Sequence, residues 1–254
     1  MILAAAQVNS IEGNIFDNLS EHIHWIKKAA ESKVDLIVFP EMSLTGYTRE
    51  KAESLAFSRE DPRLDELREL AVVFKMIIVV GAPIKIQRDL YIGSFILKPD
   101  GSLSIYTKQF LHQGEEQFFE SSFDYNPILE IGRERVSFAI CADIDNPLHP
   151  EKAHQNRSTI YVCSIFFSGK GISKGHEVLG NYAKSFSLNV LMSNYSGDCW
   201  GLTAGGKSAF WTNDGELCTA MEENSRGLVV VESQEGSWKK QNVRIGEKDR
   251  LNTR

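Results

Sequence analysis

The sequence predicts an α/β layered domain built on a mixed sheet. Short, continuously apolar runs recur along the chain, as buried strands do. Helical patterns alternate with these runs in the first half and again in the second. Turn signals at Pro99-Asp100-Gly101 and Asn213-Asp214-Gly215 interrupt the alternation, so hairpins join the parallel strands. No Pro-, Ser- or Gly-rich linker divides the 254 residues, which read as one domain, 1–254.

Residues 1–7 read as the first strand. Asn18, with Glu21 three residues on, forms a capping box for a helix whose apolar face is Leu19, Ile23, Ile26 and Ala30. The run from Asp35 to Glu41 is a buried strand ending at Pro40. Asp61-Pro62 starts a second helix, with Leu64, Leu67, Leu70, Ala71 and Phe74 facing inward. Met76–Gly81, Tyr91–Leu97, Ser104–Thr107 and Val136–Cys141 are further strands. Ile160–Phe166, a helix through Leu179, Tyr182, Ala183 and Phe186, and Val190–Asn194 repeat the cycle. Phe210–Thr219 reads as a hairpin, and Leu228–Glu232 is the last strand. The polar stretch 235–254 is expected to be an exposed tail.

Composition narrows the function. With 42% hydrophobic and 24% charged residues, the chain is an ordinary globular one rather than a disordered one. A net charge of −6 argues against a general nucleic-acid or anionic-membrane binder. The first residues lack the basic region and apolar core of a secretory signal. No apolar run approaches the roughly 20 residues of a membrane helix. A cytoplasmic protein is the expectation. The four cysteines, Cys141, Cys163, Cys199 and Cys218, lie far apart, so neither a zinc site nor a disulfide framework is expected.

Two local motifs have the wrong context. Gly201-Leu-Thr-Ala-Gly-Gly206-Lys207-Ser208 satisfies the phosphate-loop pattern, yet the residues after it read as a strand and turn. A phosphate loop must open a helix, so nucleotide binding there is the weakest of the readings. Gly171-Ile-Ser173-Lys-Gly175 matches a serine-hydrolase elbow, but Ser168–Gly171 separates it from the strand before, and His176 is the only histidine after the serine.

A third constellation is coherent. Glu41, Lys108 and Cys141 each end an apolar or extended run. Alone, each has an ordinary explanation: a surface charge for the first two, a core residue for the cysteine. Together they place three reactive types where an α/β sheet presents its crevice. A carboxylate can take the thiol proton, and the thiolate is the nucleophile. A lysine can stabilise a tetrahedral oxyanion, joined by the backbone N–H of Ala142 if the chain turns sharply after Cys141.

Phe39-Pro-Glu41-Met-Ser-Leu-Thr-Gly-Tyr47, Tyr106-Thr-Lys108-Gln-Phe-Leu-His112 and Ala139-Ile-Cys141-Ala-Asp143 resemble the three motifs of the nitrilase superfamily of carbon–nitrogen hydrolases, in order and spacing. The resemblance implies a four-layer αββα sandwich with mixed sheets, usually paired into a homodimer or higher oligomer. It implies hydrolysis of a non-peptide C–N bond in a small amide or N-carbamoyl compound through a cysteine thioester, without metal or organic cofactor. By the same resemblance Glu41 is the base, Lys108 the oxyanion partner and Cys141 the nucleophile. Gly114-Glu115-Glu116-Gln-Phe-Phe119 resembles the element carrying a second glutamate, with Glu115 favoured and Glu116 the alternate. The segment Ala142–Pro150 departs from the best-known branches, since the Arg or Trp expected there is absent. That departure leaves the substrate open and motivates one alternative, a non-catalytic binding or scaffold protein on the same fold.

Overall fold

A computed structural model describes residues 1–234 and 236–241. The first half runs β1 (Ile2–Gln7), α1 (Ile15–Glu31), β2 (Leu36–Val38), α2 (Ala52–Leu55), α3 (Asp65–Phe74), β3 (Ile77–Ile86), β4 (Asp89–Leu97) and β5 (Leu103–Thr107). The second half runs β6 (Leu129–Ile131), β7 (Glu134–Ile140), α4 (Leu148–Gln155), β8 (Ile160–Ser164), α5 (Ile172–Phe186) and β9 (Asn189–Ser193). A short ribbon, β10 (Asp198–Cys199) and β11 (Leu202–Thr203), precedes β12 (Ala209–Trp211), β13 (Leu217–Ala220), β14 (Gly227–Gln234) and β15 (Ser237–Lys240).

These strands make two large sheets. The first has the order β15-β14-β1-β2-β3-β4-β5, the second β13-β12-β9-β8-β7-β6. Each has a parallel centre, β1-β2-β3 and β7-β8-β9, flanked by antiparallel strands. Central strands are buried on both faces, which is why they read as unbroken apolar runs.

The side chains sort into three layers of core. Between the sheets, Leu3, Leu36, Val38 and Val79 of the first meet Phe138, Ile140, Val162 and Leu191 of the second. On the outer face of the first sheet, Ala4, Ile37 and Ile78 pack with Trp25, Ile26 and Ala29 of α1 and Leu67 and Ala71 of α3. On the outer face of the second, Tyr161, Cys163 and Val190 pack with Leu179 and Ala183 of α5. Helix, sheet, sheet, helix is the αββα sandwich that the sequence motifs implied.

Two local expectations are corrected, and one helix goes unannounced in the sequence. The cap of α1 is Asn14, whose side chain accepts from Asp17 N at 3.2 Å. Asn18 lies inside the helix and is buried. It accepts from Ile11 N at 2.7 Å and donates to Ile11 O and Leu44 O at 2.9 and 3.1 Å, so it ties the β1–α1 loop to the segment after β2. The polar stretch from 235 is also not all tail. Ser237–Lys240 pair with β14, and Trp238 supplies the apolar anchor by packing on Phe210, with centroids 5.0 Å apart. Glu235 and residues 242–254 lie outside the described residues. Finally, α4 has no strong apolar stripe to announce it; its buried side is His149, Pro150 and Ala153.

Asn18→Ala removes three hydrogen bonds made by a buried side chain and takes the donor from the buried Leu44 carbonyl. It should lower unfolding stability by about 1–3 kcal/mol. A shifted urea midpoint at unchanged slope would show this; an unmoved midpoint would deny Asn18 that role.

Candidate active site

Strand ends bring the reactive groups together. Glu41 follows β2 through Phe39-Pro40, Lys108 directly follows β5, and Cys141 directly follows β7. The loop carrying Glu41 crosses β3 so closely that a Cβ on Gly81 would lie 2.4 Å from Met42 N and 2.6 Å from Pro40 O. Only glycine fits there. Leu44 N then donates to Gly81 O at 2.9 Å, fixing the loop on the strand.

Lys108 is fully buried, as are Glu41 and Glu115, each 1% exposed or less. Its Nζ lies 2.7 Å from Glu41 Oε1 and 2.8 Å from Glu115. Glu115 also accepts from Tyr47 Oη at 2.8 Å and His112 N at 2.7 Å. Glu41 is held by its backbone too, because Tyr195 Oη donates to its carbonyl at 2.5 Å. Glu41 Oε2 is the open acceptor of the group, with no hydrogen-bond partner among the described residues.

Cys141 sits at φ +41°, in left-handed backbone that a non-glycine residue adopts only when its surroundings hold it there. A 3-10 turn, Cys141–Asp145, follows at once, so the sharp turn expected after the cysteine is present. Its Sγ donates to Phe166 O at 3.6 Å. The residue keeps a partly accessible face although it lies deep in the structure.

Charge state follows from this crowding. Burial raises the Glu41 carboxyl to about 7; the Lys108 charge opposes that rise and the Glu115 charge adds to it. Burial alone would lower the Lys108 ammonium, but the charges of Glu41, Cys141 and Glu115 outweigh it and raise it. Burial, then the Glu41 charge, push the Cys141 thiol well up. The resting cysteine is therefore a neutral thiol beside a carboxylate that titrates near neutrality.

Asp143, two residues after the cysteine, has a role that the motif alone does not reveal. It is fully buried. Its Oδ1 accepts from Gln109 N and Phe110 N at 2.9 and 2.8 Å, just after Lys108. Its Oδ2 accepts from Ile140 N at 2.8 Å, just before Cys141, and from Tyr106 Oη at 2.6 Å. Tyr106 in turn meets His149 Nε2 at 2.8 Å, and His149 Nδ1 meets Tyr161 Oη at 2.7 Å. Burial lowers the imidazole below its ordinary range, so a neutral ring relays these bonds. One carboxylate thus clamps the lysine loop to the cysteine turn. Tyr47, the last residue of the first motif, bonds Glu115, and no spacing signal marks an aromatic for that contact.

Several expected residues fall elsewhere. Glu116 is exposed and its carboxylate accepts from Gly114 N at 2.6 Å, outside the buried group. Ala142 is buried in the turn after Cys141. Gly201–Ser208 opens no helix: β12 follows, Lys207 pairs with half-buried Glu223 at 3.5 Å, and Ser208 Oγ is spent on Asn194. Ser173 is exposed in the first turn of α5, well after β8 ends. Among the described residues no His, Cys, Asp or Glu cluster could hold a metal.

Asp143→Ala leaves four donors without their acceptor and should cost about 3 kcal/mol or more. Asp143→Asn keeps one acceptor oxygen and should cost less. Urea unfolding of both variants checks the order; equal stability to wild type would refute the clamp.

Comparison with known proteins agrees with the geometry. The sequence pattern of the family described as Carbon-nitrogen hydrolase matches residues 2–241. A glutamine-dependent NAD(+) synthetase of Thermotoga maritima is 29% identical over 151 residues, covering 57% of this chain and 26% of that one. A protein N-terminal amidase of Schizosaccharomyces pombe is 29% identical over 131 residues, 46% of this chain and 45% of that one. The matched stretches thus span less than half the length of these relatives. Among solved structures, the NitN amidase of Neterenkonia sp. AN1 superposes with a TM-score of 0.83 at 21% identity, over 92% of this chain and 93% of that one. A variant of that amidase was solved with butyramide, at a TM-score of 0.82, 20% identity, and coverage of 91% and 89%. With three ordered motifs, the sandwich fold and a family match across nearly its whole length, this chain belongs to the carbon–nitrogen hydrolase family.

Proposed function

We propose that the protein is an amidase-type hydrolase. It cleaves a non-peptide C–N bond in a small amide or N-carbamoyl compound through a thioester on Cys141. One observation carries the reading: a turn-borne thiol next to a buried lysine held between two buried carboxylates, one with an open oxygen.

The chemistry balances within the group. Glu41 takes the Cys141 proton as sulfur bonds to the carbonyl carbon. The oxyanion that forms faces the Lys108 ammonium and the Ala142 N–H. The C–N bond then breaks, and the amine or ammonia leaves with the proton from Glu41. Water adds to the thioester, giving its proton to Glu41 or Glu115, and the acid departs as the thiol is restored. A neutral resting thiol suits this order, because no thiolate has to persist in a buried, carboxylate-rich place.

Small primary amides of the butyramide kind are the first substrates to try. The scaffold alternative loses its motive, since Ala142–Pro150 forms the turn and the Asp143 clamp rather than disrupting them. A cytoplasmic location and a homodimer or higher homo-oligomer complete the proposal. They rest on the sequence and its family resemblance, and sedimentation of the purified protein tests the assembly.

Cys141→Ala should abolish ammonia release from butyramide, and equal release from that variant would sink the reading. Glu41→Gln should slow turnover by about 10²–10⁴-fold. Because the ionised form of Glu41 is the base, kcat/KM should rise with pH through about 7 rather than through the ordinary carboxylate range. An acid limb near pH 4 would contradict Glu41 as that base.

A further inference from the structure

One cation beside the catalytic group has no part in the reaction above. Arg49 lies two residues after Tyr47 and is half-buried. Its guanidinium rests on the Trp200 ring, 4.5 Å from the centroid, and 5.7 Å from that of Tyr47. Nε donates to Tyr47 Oη at 2.9 Å and Nη1 to Gln113 O at 3.2 Å. A guanidinium has five N–H donors, and these contacts use two.

Among the described residues no carboxylate forms an ion pair with it. Glu12 and Asp198 line a cleft with Tyr47 and Trp200, but each has another partner. Glu12 meets Lys51 at 2.8 Å, and Asp198 accepts from Thr203 Oγ1 at 3.0 Å. The backbone behind Arg49 also leaves room for it: Gly114 is at φ +88°, and a Cβ there would lie 2.7 Å from Nη1.

Arg49 is linked to the catalytic group through Tyr47. Tyr47 Oη reaches Glu115, so the guanidinium is two hydrogen bonds from the catalytic group. The Tyr47 ring packs on Phe166, centroids 5.2 Å apart, and the Phe166 carbonyl takes the Cys141 thiol. The Phe166, Tyr47 and Trp200 rings pack in sequence, and Arg49 stacks on the last of them. A partly desolvated cation with idle, planar donors favours a planar anion.

We infer that Arg49 receives a carboxylate of the substrate, so the preferred amide carries an anionic end a few bonds from its scissile carbonyl. This rests on the amidase reading and narrows it. The segment Ala142–Pro150 after the cysteine holds no arginine, and Arg49 stands on a different loop.

The test compares succinamate with 4-oxopentanamide, a neutral amide of the same length. The wild-type kcat/KM should favour succinamate by about tenfold or more, the scale of a charge-assisted pair. Arg49→Gln should erase that preference, mainly through KM, and Arg49→Lys should keep part of it. If Arg49→Gln lowers kcat/KM equally for both amides, the proposal is overturned and Arg49 is only a positioning residue for Tyr47. If wild type hydrolyses neither amide, the amidase reading is what fails. Calorimetry with Cys141→Ala then still decides: tighter succinamate binding than in Cys141→Ala/Arg49→Gln supports the anion site. Equal affinity, or no binding, overturns it.

Discussion

The Lys108 ammonium between Glu41 and Glu115 is the constraint on which the site depends. A charge buried this deeply is tolerated only when paired and hydrogen-bonded, and removing one partner of such a pair strands the others. Two carboxylates flank one ammonium, so the group keeps an excess of negative charge at high pH. Burial and that excess are what raise Glu41 to about 7 and hold the Cys141 thiol protonated. Lys108 is thereby fixed as a cation, while Glu41 remains able to gain and lose a proton near neutrality. In the proposed reaction this divides charge stabilisation and proton transfer between groups in direct contact.

The fold supplies this geometry by converging strand ends. Glu41 comes from a parallel strand of one sheet, Lys108 from the antiparallel edge of that sheet, and Cys141 from a parallel strand of the other. Nothing in either sheet alone fixes the distance between lysine and cysteine. Asp143 does so, bonding the backbone just after Lys108 and just before Cys141. Tyr195 does the same between the sheets, reaching from the end of β9 to the Glu41 carbonyl. Positioning therefore rests on buried polar groups whose every bond crosses between elements.

Most strands were legible in the sequence because burial on both faces leaves unbroken apolar runs, as in Leu36–Val38 and Val136–Ile140. The proposed reactive residues, Glu41, Lys108 and Cys141, stand out in the sequence because each ends an apolar or extended run. Asn18 was misread because a buried side chain bonding a distant loop has the same letter as a cap. Strand β15 was hidden because Trp238 is its one apolar anchor in a charged stretch. The choice of Glu115 over Glu116 depended on which side of a 3-10 turn faces inward, and adjacent identical residues cannot signal that. The Asp143–Tyr106–His149–Tyr161 relay and the Arg49 platform are contacts between separate elements, so no local pattern announces them.

In the proposed reaction Glu41 governs the reactivity of an otherwise neutral Cys141 thiol. The rate of iodoacetamide alkylation at Cys141 across pH 5 to 9, with the labelled peptide mapped, tests it most directly. In wild type the rate should rise through about pH 7, following Glu41, while buried Cys163 and Cys199 stay unlabelled. In Glu41→Gln that rise should vanish. A Cys141 rate that ignores the Glu41 substitution and climbs only near the free-thiol range, about 8.5, would contradict the account.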